Sequence, residues 1–197
     1  MSEVIDLKAY VGASSSRLLV MVDLQEENWR RLARDQSYGL DRVLGNCRIA
    51  IQHARDNGIP IAFTRSGESS SAGERRAQSP WLPGLEPKRA DMVFERQQPS
   101  CYGNSLFNDV VSRIGSFAIG GLAAERICLA TAIDAAERDH HVTFLSDASA
   151  SCRRPRADAA AVHGIATSAI ELFADVASTS HWLVATAPRP VRGHRYG

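Results

Sequence analysis

A chain of 197 residues is long enough for one domain with a substantial core and short for two. Hydrophobic residues make up 44% and charged residues 23%, the balance of a globular protein, and a formal net charge of +1 gives no electrostatic reason to expect nucleic acid or an anionic membrane as partner. No apolar run approaches the roughly 20 residues that span a bilayer, and residues 1–16 lack the basic start and long apolar stretch of a secretory signal.

Residues 17–23 (RLLVMVD) form a short apolar run ending in a carboxylate, which reads as a buried strand. A polar stretch follows. Residues 40–57 then carry apolar side chains at helical spacing, with Gly58 as the stop and Pro60 opening the next element. Residues 59–65 read as a second strand. Residues 66–90 are rich in Ser, Gly, Pro and charge without a sustained period, so a long loop is expected there. A third strand at 91–96, a turn at 99–105 and a helix at 105–115 ended by Gly115 come next. The pattern continues with a strand at 116–122, a helix at 125–139 and a strand at 141–147. It closes with an Ala-rich helix from 156 to 176 and a final strand at 179–185. Alternating short strands and helices predict a single three-layer α/β/α domain, Rossmann-like, with a mostly parallel sheet of about six strands. Its core should run from 17 to 185, with 1–16 and 186–197 as tails.

Asp23 ends the first predicted strand, Arg96 ends the third, and Cys128 follows the fourth within the first turn of the next helix. Parallel order puts all three on one rim, where ligands bind in such sheets. A cysteine near a helix N-terminus has its thiolate favoured by the dipole, and neighbouring N–H groups suit an oxyanion. Taken singly, Cys128 also reads as a small buried hydrophobe and Asp23 as a turn cap. Together, a thiol and a carboxylate on one rim are a nucleophile and its proton acceptor.

Several runs then resemble one family. V-D-L-Q at 22–25 is similar to the D-x-Q start of isochorismatase-like cysteine hydrolases, and C-L-A-T-A-I-D-A at 128–135 to their nucleophile helix. F-L-S-D-A-S-A-S at 144–151 is similar to the strand end that follows. E-R-Q-Q-P-S-C-Y at 95–102 resembles the branch containing N-carbamoylsarcosine amidohydrolase. The matches run in order from about residue 17 to 180. The resemblance implies an Asp–Lys–Cys triad, an oxyanion hole of backbone N–H groups and a cis peptide before the cysteine. By position these are Asp23, Arg96 in the lysine's place, and Cys128, with the hole at Ala124 and Cys128 and the cis bond between Ala123 and Ala124.

The sequence departs from that pattern in two ways. An extra residue lies between Gly121 and Cys128, and Arg96 stands where the family has lysine. Arginine holds its proton at any relevant pH and acts as a fixed cation. The two lysines of the chain, Lys8 and Lys88, are not placed to substitute. The zinc cluster of the nicotinamidase branch has no counterpart in FTRSG at 63–67, and His53, His140, His141, His163, His181 and His194 show no ligand spacing, so neither metal nor cofactor is expected. Four cysteines without a C-x-x-C pair suit free thiols in a reducing cytoplasm. Cys101 reads as packing, Trp29 and Trp81 as packing or pocket wall, and Arg153, Arg154 and Arg156 as a solvated turn or a greeting for an anionic substrate. Glu95 and Gln25 are candidate supports. The expectation is a cysteine hydrolase of a small amide, ureide or carbamoyl C–N bond, acting through a thioester, cytoplasmic and homo-oligomeric. The alternatives are hydrolysis of a vinyl ether, or a non-catalytic relative that binds a partner.

Overall fold

The computed structural model describes residues 18–34, 39–67 and 78–188. Six strands form one sheet: β1 (Leu18–Val22), β2 (Ile61–Ser66), β3 (Met92–Arg96), β4 (Ser116–Leu122), β5 (His141–Ala150) and β6 (Asp175–Ala177). Their order is β3-β2-β1-β4-β5-β6 and every pairing is parallel. The helices are α1 (Glu26–Arg34), α2 (Leu40–Asp56), α3 (Ser105–Ile114), α4 (Leu129–Ala136), α5 (Ala159–Ile170) and α6 (Thr179–Thr186). None of these is long and apolar enough to cross a membrane.

The three layers follow from the central strand. Every residue of β1 is buried because both faces are covered. Leu19 and Met21 join a core with Leu44, Ile51 and Phe63 under α2 and with Trp182 of α6. Leu18, Val20 and Val22 join the opposite core with Phe107, Ala132 and Ile170 of α3, α4 and α5. Phe107 meets Phe94, Tyr102 and Phe117 edge-on at 5.3–5.9 Å. Burying such a ring stabilises by about 1.5–3 kcal/mol, and here it braces the turn that follows β3.

The strand order reverses between β1 and β4, so these neighbours form the topological switch point of the sheet. The backbones approach closely there. Val22 pairs with Gly121, and a Cβ on Gly121, at φ 126°, would lie 2.2 Å from the Val22 carbonyl oxygen. Only glycine fits.

Three sequence expectations are corrected. Residues 179–185 are a helix, α6, and not a strand. Ser178 caps it by accepting from the His181 N–H at 3.2 Å, and its buried residues, Thr179 and Trp182, are three apart. The last strand is instead Asp175–Ala177, overlapping the end of the Ala-rich helix expected over 156–176, which stops at Ile170. The polar stretch after β1 is also helical: α1 buries Leu32 on the α2 side and exposes most of the rest.

The return leg of the 66–90 loop is annealed to the chain leaving β1. Glu26 N–H donates to the Pro80 carbonyl at 2.9 Å and Leu82 N–H to the Leu24 carbonyl at 3.0 Å, while Gln25 and Trp81 form a bridge. Leu82 and Leu85 anchor it in the core.

Candidate active site

Asp23 follows β1 directly. Its backbone sits at φ 52°, in the left-handed region that a non-glycine residue enters at some cost. The conformation is fixed from two sides: its N–H donates to the Thr64 carbonyl at 2.9 Å, and its carbonyl accepts from the Gln25 N–H at 2.7 Å. The side chain is thereby turned across the end of β2. There Oδ1 accepts a hydrogen bond from Nη2 of Arg96.

Arg96 lies on β3, two strands away, a span of about 9–10 Å that its long side chain crosses. Nη1 also donates to the Gln98 carbonyl at 3.3 Å and to Ser66 Oγ at 3.5 Å. Nε is buried without a hydrogen-bond partner. The pair is almost wholly withdrawn from water, with side-chain exposures of 3% for Arg96 and 1% for Asp23. Burial pushes the Asp23 carboxyl up from its ordinary value, and the Arg96 charge and hydrogen bond oppose that shift, with smaller help from Arg126 and Arg31.

Cys128 is fully buried and ends a single wide turn, Ala124–Cys128, that leads into α4. Asp23 and Arg96 are both close enough for their charges to act on the thiol. The expectation that the helix start lowers the thiol's pKa is corrected. Burial raises it well above the ordinary value, Cys101, Asp23 and Glu125 raise it further, and the Arg96 charge opposes them. Desolvation of a charge in a dry interior outweighs the dipole of one turn. The resting thiol is therefore protonated.

The expected cis bond between Ala123 and Ala124 is also corrected, since the described residues contain no cis peptide. Ala123 takes a left-handed conformation instead, φ 68° and ψ 56°, and its carbonyl accepts from the N–H groups of Arg126 and Ile127 at 3.1 and 2.9 Å. Ala124 is buried at the start of the wide turn, at one end of the expected hole, with Cys128 at the other.

Two candidates prove to be elsewhere. Strand alternation turns Glu95 away from Arg96 and out to solvent, where it accepts from Arg65 at 2.6 Å and Gln78 at 2.7 Å. Gln25 is buried but holds the loop, donating to the Ser79 carbonyl at 2.7 Å. Lys88 precedes β3 at the far end of the sheet and is exposed, whereas Lys8 and His194 lie outside the described residues. Trp81 packs edge-on against Phe63 at 5.6 Å, and both Trp29 and Trp81 rest on the core. Among the described residues no cluster of His, Cys, Asp or Glu could hold a metal ion.

The sequence reading missed the surroundings of the thiol. Cys101 is a second buried thiol on the same floor: its N–H donates to Thr131 Oγ1 at 3.0 Å, and Sγ lies 3.7 Å from Thr64 Oγ1. Thr131 stands three residues after Cys128, one turn along the same face of the helix. Asp23 and Arg96 act on Cys101 as well. The available signal was the run P-S-C-Y right after Arg96, which returns the chain to the rim.

Comparison with known proteins places the fold. An isochorismatase from Pseudomonas putida KT2440 superposes with a TM-score of 0.72 at 22% identity, covering 84% of this chain and 89% of that one. A cysteine hydrolase from Pseudomonas syringae pv. phaseolicola 1448A gives 0.76 at 19% identity, covering 87% and 92%. The MAR1 ribonuclease of Caenorhabditis elegans gives 0.67 at 19% identity, covering 86% and 80%. The names differ while the fold is shared, so the fold does not choose the chemistry. No curated protein matches the sequence significantly. Residues 17–180 match the isochorismatase domain family over most of the chain. The chain belongs to the isochorismatase family.

Proposed function

We propose that the chain is a cysteine hydrolase of a small amide, ureide or carbamoyl C–N bond. The observation that carries this reading is the gathering of Asp23, Arg96 and the Cys128 thiol on one rim of the sheet, all three buried. A buried ion pair is a poor device for stability, because desolvation offsets most of its Coulomb gain. Beside a protonated thiol it is a base with a fixed cation.

In this reading the Cys128 thiol gives its proton to Asp23 as sulfur attacks the carbonyl carbon. Arg96 keeps its charge and stabilises the thiolate and the negative oxygen that follows. Backbone N–H groups at Ala124 and Cys128 are the assigned donors to that oxygen. The C–N bond breaks, the amine leaves with the proton from Asp23, and the acyl group remains on sulfur as a thioester. Water then adds to the thioester, releasing the acid and restoring the thiol.

Release of ammonia or amine from a panel of small amides and ureides tests this reading. Cys128→Ala and Cys128→Ser should each lose at least about a thousandfold in kcat/KM, with the folded state intact by circular dichroism. Hydrolysis of a vinyl ether such as isochorismate that persists in Cys128→Ala, with no panel amide or ureide turned over by the wild type, would favour vinyl-ether chemistry, which needs the acid and not the thiol. A wild-type Cys128 inert to alkylation, with no turnover of any panel member, would favour the non-catalytic relative.

A further inference from the structure

Between β3 and α3 the chain makes a strap, residues 97–104, closed at its base where Asn104 Nδ2 donates to the Glu95 carbonyl at 2.7 Å. Its tip is the 3₁₀ turn Cys101–Gly103, which packs against α4 as well as β3. Hydrogen bonds tie this strap to the groups of the rim. Near its start the Gln98 carbonyl accepts from Arg96 Nη1 at 3.3 Å. At its tip the Cys101 N–H donates to Oγ1 of Thr131, which lies in α4 one turn past Cys128, at 3.0 Å. Cys101 Sγ lies 3.7 Å from Oγ1 of Thr64, whose carbonyl holds the Asp23 N–H.

Thr131 uses its hydroxyl differently from other helical threonines of the chain. Such a residue commonly bonds back to the carbonyl four residues earlier. Thr167 does so to His163 at 2.8 Å, and Thr186 to Trp182 at 2.7 Å. Thr131 Oγ1 is met instead by the backbone of another element, on a floor that is otherwise apolar and with no exposure to solvent. A polar atom at that depth needs a partner, and the strap supplies it.

Arg96 depends on such an outside hold. Apart from Asp23, its guanidinium donates to Ser66 Oγ at 3.5 Å and to the strap's Gln98 carbonyl at 3.3 Å. Where the strap puts Gln98 therefore helps to decide where the cation sits.

We infer that Thr131 is a positioning residue: its hydroxyl pins the strap to α4 and so keeps the Arg96 guanidinium in register with Cys128. Its catalytic consequence rests on the cysteine-hydrolase reading above. A fixed cation stabilises a thiolate or an oxyanion only from the right place, and a shift of about 1 Å costs up to about a hundredfold in rate.

The Nε–H of Arg96 reports the hold, because it is buried and meets water only when its surroundings move. Arg55 Nε in α2, also buried without a hydrogen-bond partner, is the internal reference. Exchange of both with solvent is followed by nuclear magnetic resonance on protein carrying isotopically labelled arginine, with the signals assigned by Arg96→Lys and Arg55→Lys. Thr131→Val should speed the Arg96 exchange at least about tenfold and leave Arg55 within about twofold. Thr131→Ser keeps the hydroxyl and should match the wild type at both. With a panel amide or ureide, Thr131→Val should lose at least about tenfold in kcat with KM altered by less than about threefold, and Thr131→Ser should retain the wild-type kcat.

Arg96 exchange unchanged in Thr131→Val, or Arg96 and Arg55 accelerated together, overturns the inference, as does a kcat that Thr131→Val leaves intact. If the wild type turns over no panel member, it is the hydrolase reading that fails, and the exchange rates still decide whether Thr131 holds Arg96. Where Thr131→Val does not fold, Thr131→Ala carries the same comparison. Failure of both to fold beside a folded Thr131→Ser would make the hydroxyl a requirement of folding and remove its positioning role.

Discussion

Two arginine–aspartate pairs hold β3, one at each end. Before its amino end, Arg55 from the last turn of α2 donates to Asp91 at 2.6 Å. Asp91 also accepts from the Lys88 N–H at 2.7 Å, and Arg55 also donates to the Glu86 carbonyl at 3.2 Å. Side-chain exposures there are 18% and 6%. At the carboxyl end Arg96 and Asp23 are buried to 3% and 1%, Arg96 keeps an unpartnered Nε, and a protonated thiol feels both charges. The backbone repeats the contrast. The left-handed Asp23 and Ala123 lie on the carboxyl rim and lead from strands, whereas at the other end the left-handed Gly58, Gly115 and Asp139 each follow a helix. Desolvation is deepest around Asp23 and Arg96, and the pair at the amino end is a clip.

The glycines give the largest expected difference. Gly121→Ala would drive a Cβ to 2.2 Å from the Val22 carbonyl oxygen, at a φ that alanine avoids, in the seam beside Asp23. Loss of more than about 4 kcal/mol, or failure to accumulate folded protein, is expected. Gly115→Ala meets no neighbour within 4 Å and should lose only about 1 kcal/mol for the left-handed conformation. Urea melts compare the two, and similar losses would break the distinction between the ends.

Next come the arginines. Arg96→Met leaves a buried carboxylate uncompensated and should cost about 3 kcal/mol or more. Arg55→Met removes a partly exposed pair and should cost about 1 kcal/mol. On the hydrolase reading, Arg96→Met also lowers kcat/KM at least about tenfold, Arg96→Lys retains appreciable activity, and Arg55→Met changes kcat/KM little. A second substitution, Asp23→Asn, should recover part of the stability lost in Arg96→Met. Equal losses in the two methionine variants would show that depth of burial is not what separates the pairs.

The smallest effect is a pH dependence. Burial raises the thiols of Cys101 and Cys128, and lifts Cys47 from 9.0 to about 12. A group whose pKa is raised on folding contributes its stability fully below the unfolded value and loses it as pH climbs through the folded one. The melting temperature should therefore hold below about pH 8 and fall steadily above it, since unfolded thiols ionise near 8.5. Cys128→Ser should shallow that slope. A slope identical to wild type would mean that the Cys128 thiol is not held up by the fold.

The parts legible in the sequence were those whose packing is written locally. LLVMV at 18–22 is continuously apolar because both faces of β1 are covered, and the strand ends then placed Asp23, Arg96 and Cys128 on one rim. The segments misread were short and decided from outside. Glu26–Arg34 carries too few apolar residues to show a period, yet Leu32 is enough to seat it. Asp175–Ala177 becomes a strand because β5 offers an edge, and α6 begins where Asp147 Oδ1 accepts from both the N–H and Oγ1 of Thr179 at 2.7 Å. The raised thiol was beyond reach for the same reason. Its burial comes from residues far along the chain, among them Cys101, which no local pattern joins to Cys128.

The pairing of Val22 with Gly121 also sets an order of events in time. β1, β2 and β3 are neighbours in sequence and in the sheet, and so are β4, β5 and β6, so each half can pair as its own residues are made. The seam between them closes a loop of roughly 100 residues, at an entropic cost of about 4 kcal/mol before any contact across it is gained. Asp23 and Arg96 belong to the half made first and Cys128 to the half made second. The Cys128 thiol thus meets Asp23 and Arg96 only when the halves dock, in the slow, non-local step of folding.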